Sequence, residues 1–154
     1  MQTIRSYFIE HDLYNEDKLI DHCQHNNVRI IRSDKYPHLR ELHYNEVEVH
    51  FGKQWTYFNR WCRGLILDIK NKQLLSTPYT KFYNLGEMPE TSYDVLKDQK
   101  FFETSEKMDG SLILPYYDIE TDEIHCATKG CLTSEQAIYA ESILPVRVKQ
   151  KDIL

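Results

Sequence analysis

The run Arg63-Gly64-Leu65-Ile66-Leu67-Asp68-Ile69 is almost continuously apolar. Without alternation it suits a buried strand rather than one with a solvated face. Lys70-Asn71-Lys72 then supplies a polar turn, and Gln73 to Thr77 is placed to return as the hairpin partner. Strands joined by short turns, not by long helical crossovers, point to an α+β fold of mainly antiparallel sheets with a few helices. With 154 residues, 41% hydrophobic and 12% aromatic, residues 1–154 suit a single domain with a real core.

Other classes are excluded or left open on equally simple grounds. No stretch approaches the apolar length of a membrane span, and Met1-Gln2-Thr3-Ile4-Arg5 lacks a signal-peptide core. A cytoplasmic protein with no membrane association is the default. Cys23, Cys62, Cys126 and Cys131 show no C-x-x-C spacing, so four reduced thiols are expected. A formal net charge of -5 argues against an indiscriminate nucleic-acid binder, although a local basic cleft can coexist with an acidic exterior.

Asn15-Glu16-Asp17-Lys18-Leu19-Ile20-Asp21-His22-Cys23 reads as a helix with Asn15 as N-cap, acids in the first turn, and Leu19, Ile20 and Cys23 on the apolar face. His22 and His25 can share a helix face, but a metal site needs a third ligand and an ordered surround, so they are read as solvated. Val28 to Arg32 reads as a strand and Ser33 to Pro37 as a loop. His38 to Asn59 has no clear period, except that Val47-Glu48-Val49-His50-Phe51 alternates as a half-buried strand does before Gly52. Trp55, Tyr57, Phe58 and Trp61 are read as packing, with stacking on bases as the alternative.

Beyond Pro78, Tyr79-Thr80-Lys81-Phe82-Tyr83-Asn84-Leu85-Gly86-Glu87 is a basic, aromatic loop suited to contacting a ligand. Taken singly, Arg63 is as well explained by a salt bridge at a strand start, and Lys81 by solvation. Glu90 to Lys97 predicts a helical turn and Lys100 to Thr104 a strand. Next comes Glu106-Lys107-Met108-Asp109-Gly110-Ser111, flanked by Phe101-Phe102 and Leu112-Ile113-Leu114, so Asp-Gly is expected at a bend joining two strands. An amine held near other cations or partly removed from water becomes nucleophilic near neutral pH. A lone Lys-x-Asp-Gly is nevertheless more often a solvated hairpin. Ser111 to Tyr117 and Glu123 to Thr128 form a further candidate hairpin. Thr133-Ser134-Glu135-Gln136 fits a capping box with Thr133 as N-cap, opening a helix to about Ile143.

Read together, Cys62-Arg63-Gly64-Leu65-Ile66-Leu67-Asp68, Pro78 to Glu87, Lys107-Met108-Asp109-Gly110-Ser111 and Thr128-Lys129-Gly130 resemble ATP-dependent RNA ligases of the phage T4 RNA ligase 1 type. These belong with DNA ligases and capping enzymes to the covalent nucleotidyltransferases. The order of the four segments carries the resemblance, which covers roughly Cys62 to Leu144. It implies a partial nucleotidyltransferase fold, the ATP-grasp-like ligase adenylylation fold, using ATP and Mg2+ and acting on RNA ends. It also implies that Lys107 is the nucleophile that takes AMP from ATP. Arg63, Lys81, Tyr83, Glu106, Asp109, Gly110 and Lys129 then form the nucleotide-binding set, with Tyr83 standing where the ligases usually carry phenylalanine. Metal ligands are not indicated.

The family's acidic strand motifs and its final Lys-x-Lys strand are not found; Lys149-Gln150-Lys151 imitates the last but is read as a solvated basic tail. The expectation is therefore the N-terminal part of an adenylyltransferase domain, with a sheet edge open to self-association or to a complementing chain. Two functions follow. One is a ligase fragment that binds ATP and adenylylates Lys107; the other is a catalytically inactive module that binds RNA or inhibits a protein partner.

Overall fold

The apolar run does form a strand, and its two faces explain the layering of the fold. In the computed structural model, which describes residues 2–51, 54–100 and 103–144, the chain divides into two compact units. One comprises the residues up to Thr80 and from Ser111 onward, and the other comprises Lys81–Gly110. The first unit opens with α1 (Ile4–Glu10) and α2 (Glu16–His25), followed by β1 (Val28–Ile31), β2 (Leu39–Tyr44), a π-helix (Val47–Phe51), α3 (Tyr57–Trp61), β3 (Arg63–Asp68) and β4 (Gln73–Ser76). After the second unit it continues with β5 (Ile113–Asp118), β6 (Glu123–Thr128) and α5 (Glu135–Ile143).

The four-stranded sheet has the order β1-β2-β3-β4 and every pair is antiparallel; β5 and β6 form a second antiparallel pair. β3 is central, and its residues alternate between two cores. Leu65 and Leu67 join Leu42, Leu74 and Val28 beneath Phe8, Leu19, Cys23 and Phe58 of the helices. Ile66 joins Leu39 and Leu75 on the opposite face, against Leu114, Tyr116 and Ala127 of the two-stranded sheet. A third cluster seats Ala137 and Ala140 of α5 on Cys126. Each fully buried leucine contributes about 1.5–3 kcal/mol of hydrophobic stabilisation, which is why β3 carries no polar alternation.

Gly64 is needed where the layers meet. The β2–β3 register shifts between Leu42 and His43, so Gly64 occupies a bulge with φ +97°. A Cβ there would stand 2.3 Å from Leu114 Cδ1, well inside contact distance. The residue type thus sets the approach of the two sheets.

α2 carries the expected cap: Asn15 Oδ1 accepts the Lys18 N–H at 3.1 Å, with Glu16 and Asp17 in the first turn. After β3, Asp68 accepts the N–H groups of Lys70 and Asn71 at 2.8 and 2.9 Å, fixing the turn into β4. The β5–β6 hairpin pairs in register from Ile113 with Thr128 to Asp118 with Glu123. Trp61 packs against the helical core and Phe58 lies within it, so these rings of the aromatic cluster serve packing. Cys23, Cys62, Cys126 and Cys131 are free thiols, and burial pushes Cys23 up to about 12.

Four local expectations are corrected. Val47–Phe51 is a π-helix, not a strand. Asn45 turns the chain first, accepting the Val47 N–H on its side chain at 3.2 Å and the Val49 N–H on its carbonyl at 3.0 Å. Val49 is consequently buried and Val47 exposed, a split that a strand, with residues i and i+2 on one face, does not permit. Asp109-Gly110 does not join two paired strands, because β5 pairs with β6 and the described residues 103–109 form no strand. Glu103, Thr104, Ser105 and Glu106 have no apolar face to offer a partner. The N-cap of α5 is Ser134, not Thr133: its hydroxyl accepts the Ala137 N–H at 3.2 Å. His22 is half-buried rather than solvated, with Nε2 2.9 Å from Tyr7 Oη and the ring packed edge-on to Phe58.

The second unit holds the loop after Lys81, a 3-10 turn (Pro89–Thr91) and α4 (Tyr93–Leu96), as the expected helical turn requires. Phe101 and Phe102, two of the five residues of the strand expected over Lys100 to Thr104, and Lys149-Gln150-Lys151 lie outside the described residues; Lys100, Glu103 and Thr104 form no strand. No helix among the described residues is long and apolar enough to cross a membrane.

Candidate active site

The expected site residues are divided between the two units. Arg63 and Lys129 belong to the first; Lys81, Tyr83, Glu106, Lys107, Asp109 and Gly110 belong to the second.

In the first unit, Arg63 opens β3 directly opposite His43 of β2. Its Nη1 donates to the carbonyls of Tyr79 and Thr80 at 3.3 and 3.4 Å, so the guanidinium holds the chain at the end of this unit's segment. Lys129 sits just past β6 in a tight turn closed by reciprocal Thr128–Cys131 backbone bonds of 3.0 Å. Gly130, at φ +97°, completes the turn. Lys129 Nζ lies 2.8 Å from Glu46 Oε1 and 5.7 Å from the centre of the Tyr44 ring.

Two buried polar residues connect these cations. The Gly130 N–H donates to Glu41 Oε1, and Glu41 has no solvent exposure. Burial raises its carboxyl to about 7, and the Gly130 N–H pulls the other way. His43, two residues along the strand, is pushed down to about 4 by burial first and then by the charges of Lys129 and Arg29. His43 thus pairs in register with Arg63 and lies within the influence of the Lys129 and Arg29 charges. Glu41 and His43 escaped the sequence reading. Their only signal is the alternation of Leu39, Glu41 and His43 against Leu42, and nothing in it distinguishes a buried Glu from a solvated one.

In the second unit, Lys81 is held rather than solvated. Its side chain is 15% exposed, with Nζ 2.7 Å from the Phe82 carbonyl, 3.6 Å from Glu87 Oε1 and 4.8 Å from the centre of the Tyr83 ring. Glu87 also accepts the Asn84 N–H at 2.8 Å, closing the loop on itself. Lys107 is 73% exposed, with Nζ 3.4 Å from Asp109 Oδ1. Glu106 is exposed as well. Gly110 has φ +132°, and among the described residues no heavy atom beyond its chain neighbours lies within 4 Å of where a Cβ would stand, so the lack of a side chain leaves that side of the backbone open. Among the described residues no three His, Cys, Asp or Glu side chains converge as a metal site.

A sequence model of the RNA ligase family, T4 RNA ligase 1 type, matches residues 61–153. That continuous segment contains all eight candidate residues from Arg63 to Lys129. A protein of Thermovibrio ammonificans named "Putative RNA ligase" is 36% identical over 80 residues, which is 50% of this chain and 21% of the relative. The chain thus matches about a fifth of that relative's length. The match to the family model extends over well more than half of the chain, and the chain belongs to the RNA ligase family of the T4 RNA ligase 1 type.

Proposed function

We propose that this chain is part of an RNA ligase adenylyltransferase domain with the nucleotidyltransferase fold, which binds ATP and transfers AMP to Lys107 as the first step of joining RNA ends. The observation that carries this reading is the family match, which takes in Lys107 and its expected cationic partners in one continuous segment. The α+β fold with antiparallel sheets and the Lys-Gly turn that ends β6 are in keeping with it.

In the reaction, neutral Lys107 Nζ attacks the α-phosphorus of ATP. A P–N bond forms, the bond from the α-phosphorus to the bridging oxygen breaks, pyrophosphate leaves, and the amine proton passes to solvent. Arg63, Lys81 and Lys129 receive the phosphate charge, which develops on pyrophosphate as the bond breaks. Tyr83 is the ring for the adenine, Gly110 lets the backbone approach the nucleotide, and Glu106 and Asp109 orient it. Magnesium would screen the phosphates when bound, but the described residues provide no ligand cluster for it, so no step is assigned to it. RNA ends are the proposed second substrate. A complementing chain, or a second copy paired at an open sheet edge, is the proposed protein partner.

Incubation with ATP and magnesium followed by intact-mass measurement tests the proposal. One adenylate on the wild type and none on Lys107→Ala is the expected result. Absence of an adduct under every metal condition, with or without supplied partner chain, would leave the binding-module reading in its place.

A further inference from the structure

Glu41 lies in the middle of β2 opposite Ile31 of β1 and Ile66 of β3, so both sheet neighbours are uncharged. Oε1 accepts the Gly130 N–H, while Oε2 has no hydrogen-bond partner among the described residues. A buried carboxyl with one bond is a costly group for a core. The fold nevertheless keeps it there, beside the backbone of Gly64, where a Cβ would lie in ordinary contact with Oε1 at 3.5 Å.

We propose that Glu41 is a positioning residue: its carboxyl docks the Thr128–Cys131 turn onto β2 and thereby holds Lys129 at the end of the sheet that carries Arg63. This deepens the proposed function and rests on the reading of Lys129 and Arg63 as phosphate-binding cations. The ladder to β5 fixes Thr128 opposite Ile113 and the Thr128–Cys131 bridge closes the turn, yet neither bond restrains the tip. Glu41 does, through the residue next to Lys129. The charged neighbours are otherwise committed. Arg40 on the same strand turns to Glu16 at 2.9 Å, Lys129 pairs with Glu46, and Arg29 of β1 lies 3.3 Å from His43. With burial and the Gly130 N–H as the influences on it, Glu41 populates both protonation states near neutrality. The bond strengthens when the acceptor is the carboxylate.

The test is a pH series of amide 1H–15N spectra of the 154-residue chain, in wild type, Glu41→Gln and Glu41→Leu. In wild type the Gly130 amide proton is expected to move downfield through a transition centred at about 7. Glu41→Gln should keep the resonance near its low-pH position and abolish the transition. Glu41→Leu should displace both Lys129 and Gly130 resonances and weaken ATP binding roughly 10-fold, with Gln restoring most of it. A wild-type Gly130 amide that ignores pH, or one unmoved in the Leu variant, overturns the proposal. If the Leu variant does not fold, the wild-type and Gln spectra decide alone. The amide readout contains no nucleotide: a Gly130 transition in a chain that fails to bind ATP supports the docking role and overturns the phosphate-binding reading instead.

Discussion

Two glycines flank the proposed chemistry, and they live in opposite environments. Gly64, beside Arg63, is pressed between two sheets; at Gly110, after Lys107, an added Cβ would meet no atom of the described residues within 4 Å beyond its chain neighbours. Both have positive φ, so backbone geometry alone does not separate them. The difference is what each would meet if it gained a side chain. Around Arg63 the backbone is set by the β2–β3 pairing and around Lys129 by the Thr128–Cys131 turn, whereas the described residues 103–109 belong to no strand and are exposed. Two of the three cations proposed to bind phosphate, Arg63 and Lys129, belong to the scaffold, whereas Lys81 lies in the same unit as Lys107, the group proposed to react, which stands on an exposed stretch.

Substitution gives the largest expected contrast. Gly64→Ala combines a left-handed backbone position with a methyl driven into Leu114, and is expected to lower stability by roughly 2–4 kcal/mol. Gly110→Ala is expected to shift the unfolding midpoint by under about 1 kcal/mol, because an unpaired segment can relax its backbone. Urea unfolding of both variants measures the contrast. Equal losses would mean that the Lys107 segment is as firmly held as the sheet interface.

The second contrast lies within the cation corner and is read by pH. The fold prefers the neutral form of both Glu41 and His43. Glu41 is raised from 4.5 to about 7, so its contribution is present at low pH and is lost as pH rises through about 7. His43 is lowered from 6.5 to about 4, so its contribution is present at high pH and is lost as pH falls through about 4. Between 4.5 and 6.5 the two slopes oppose and largely cancel. Glu41→Gln should unmask the His43 slope, making stability rise with pH across this window by up to on the order of 3 kcal/mol relative to wild type. His43→Asn should unmask the opposite slope. Two variants with parallel pH curves would show that these groups do not titrate as a buried pair.

Legibility followed the same division. β3, the Asp68 turn, the β5–β6 hairpin and the α2 cap were readable because each is set by local pattern: an apolar run, a polar turn, an Asn followed by acids. β2 was not readable. Leu39-Arg40-Glu41-Leu42-His43-Tyr44 places a carboxyl and an imidazole among its buried residues, and only long-range partners, Gly130 above all, make those positions tolerable. Val47–Phe51 misled for the converse reason, since Asn45 overrides an alternation that would otherwise predict a strand. The family was legible from an ordered set of segments, and the site residues proposed on it come from those segments. Glu41 and His43, proposed to support that site, were not legible, because the contact between Glu41 and the turn at Gly130 joins residues 89 apart in sequence.

The smallest expected effects compare the two lysines by their acidic neighbours. Lys129 and Glu46 form an ion pair with side chains 34% and 55% exposed; exposed pairs of this kind are worth about 0–1 kcal/mol. Glu46→Gln should therefore barely change stability, yet it should release Lys129 from a competing carboxylate and tighten the binding of a polyanion such as triphosphate. The gain should fade as salt rises, since the attraction it exposes is screened. Asp109→Asn removes the neighbour of Lys107, where both side chains stand in solvent, and should leave stability unchanged within error. Titration calorimetry with triphosphate at two salt concentrations separates the cases. Tightening for Glu46→Gln alone places the phosphate-binding charge on the packed corner; tightening for Asp109→Asn alone moves it to the exposed segment and reverses the comparison between the two regions.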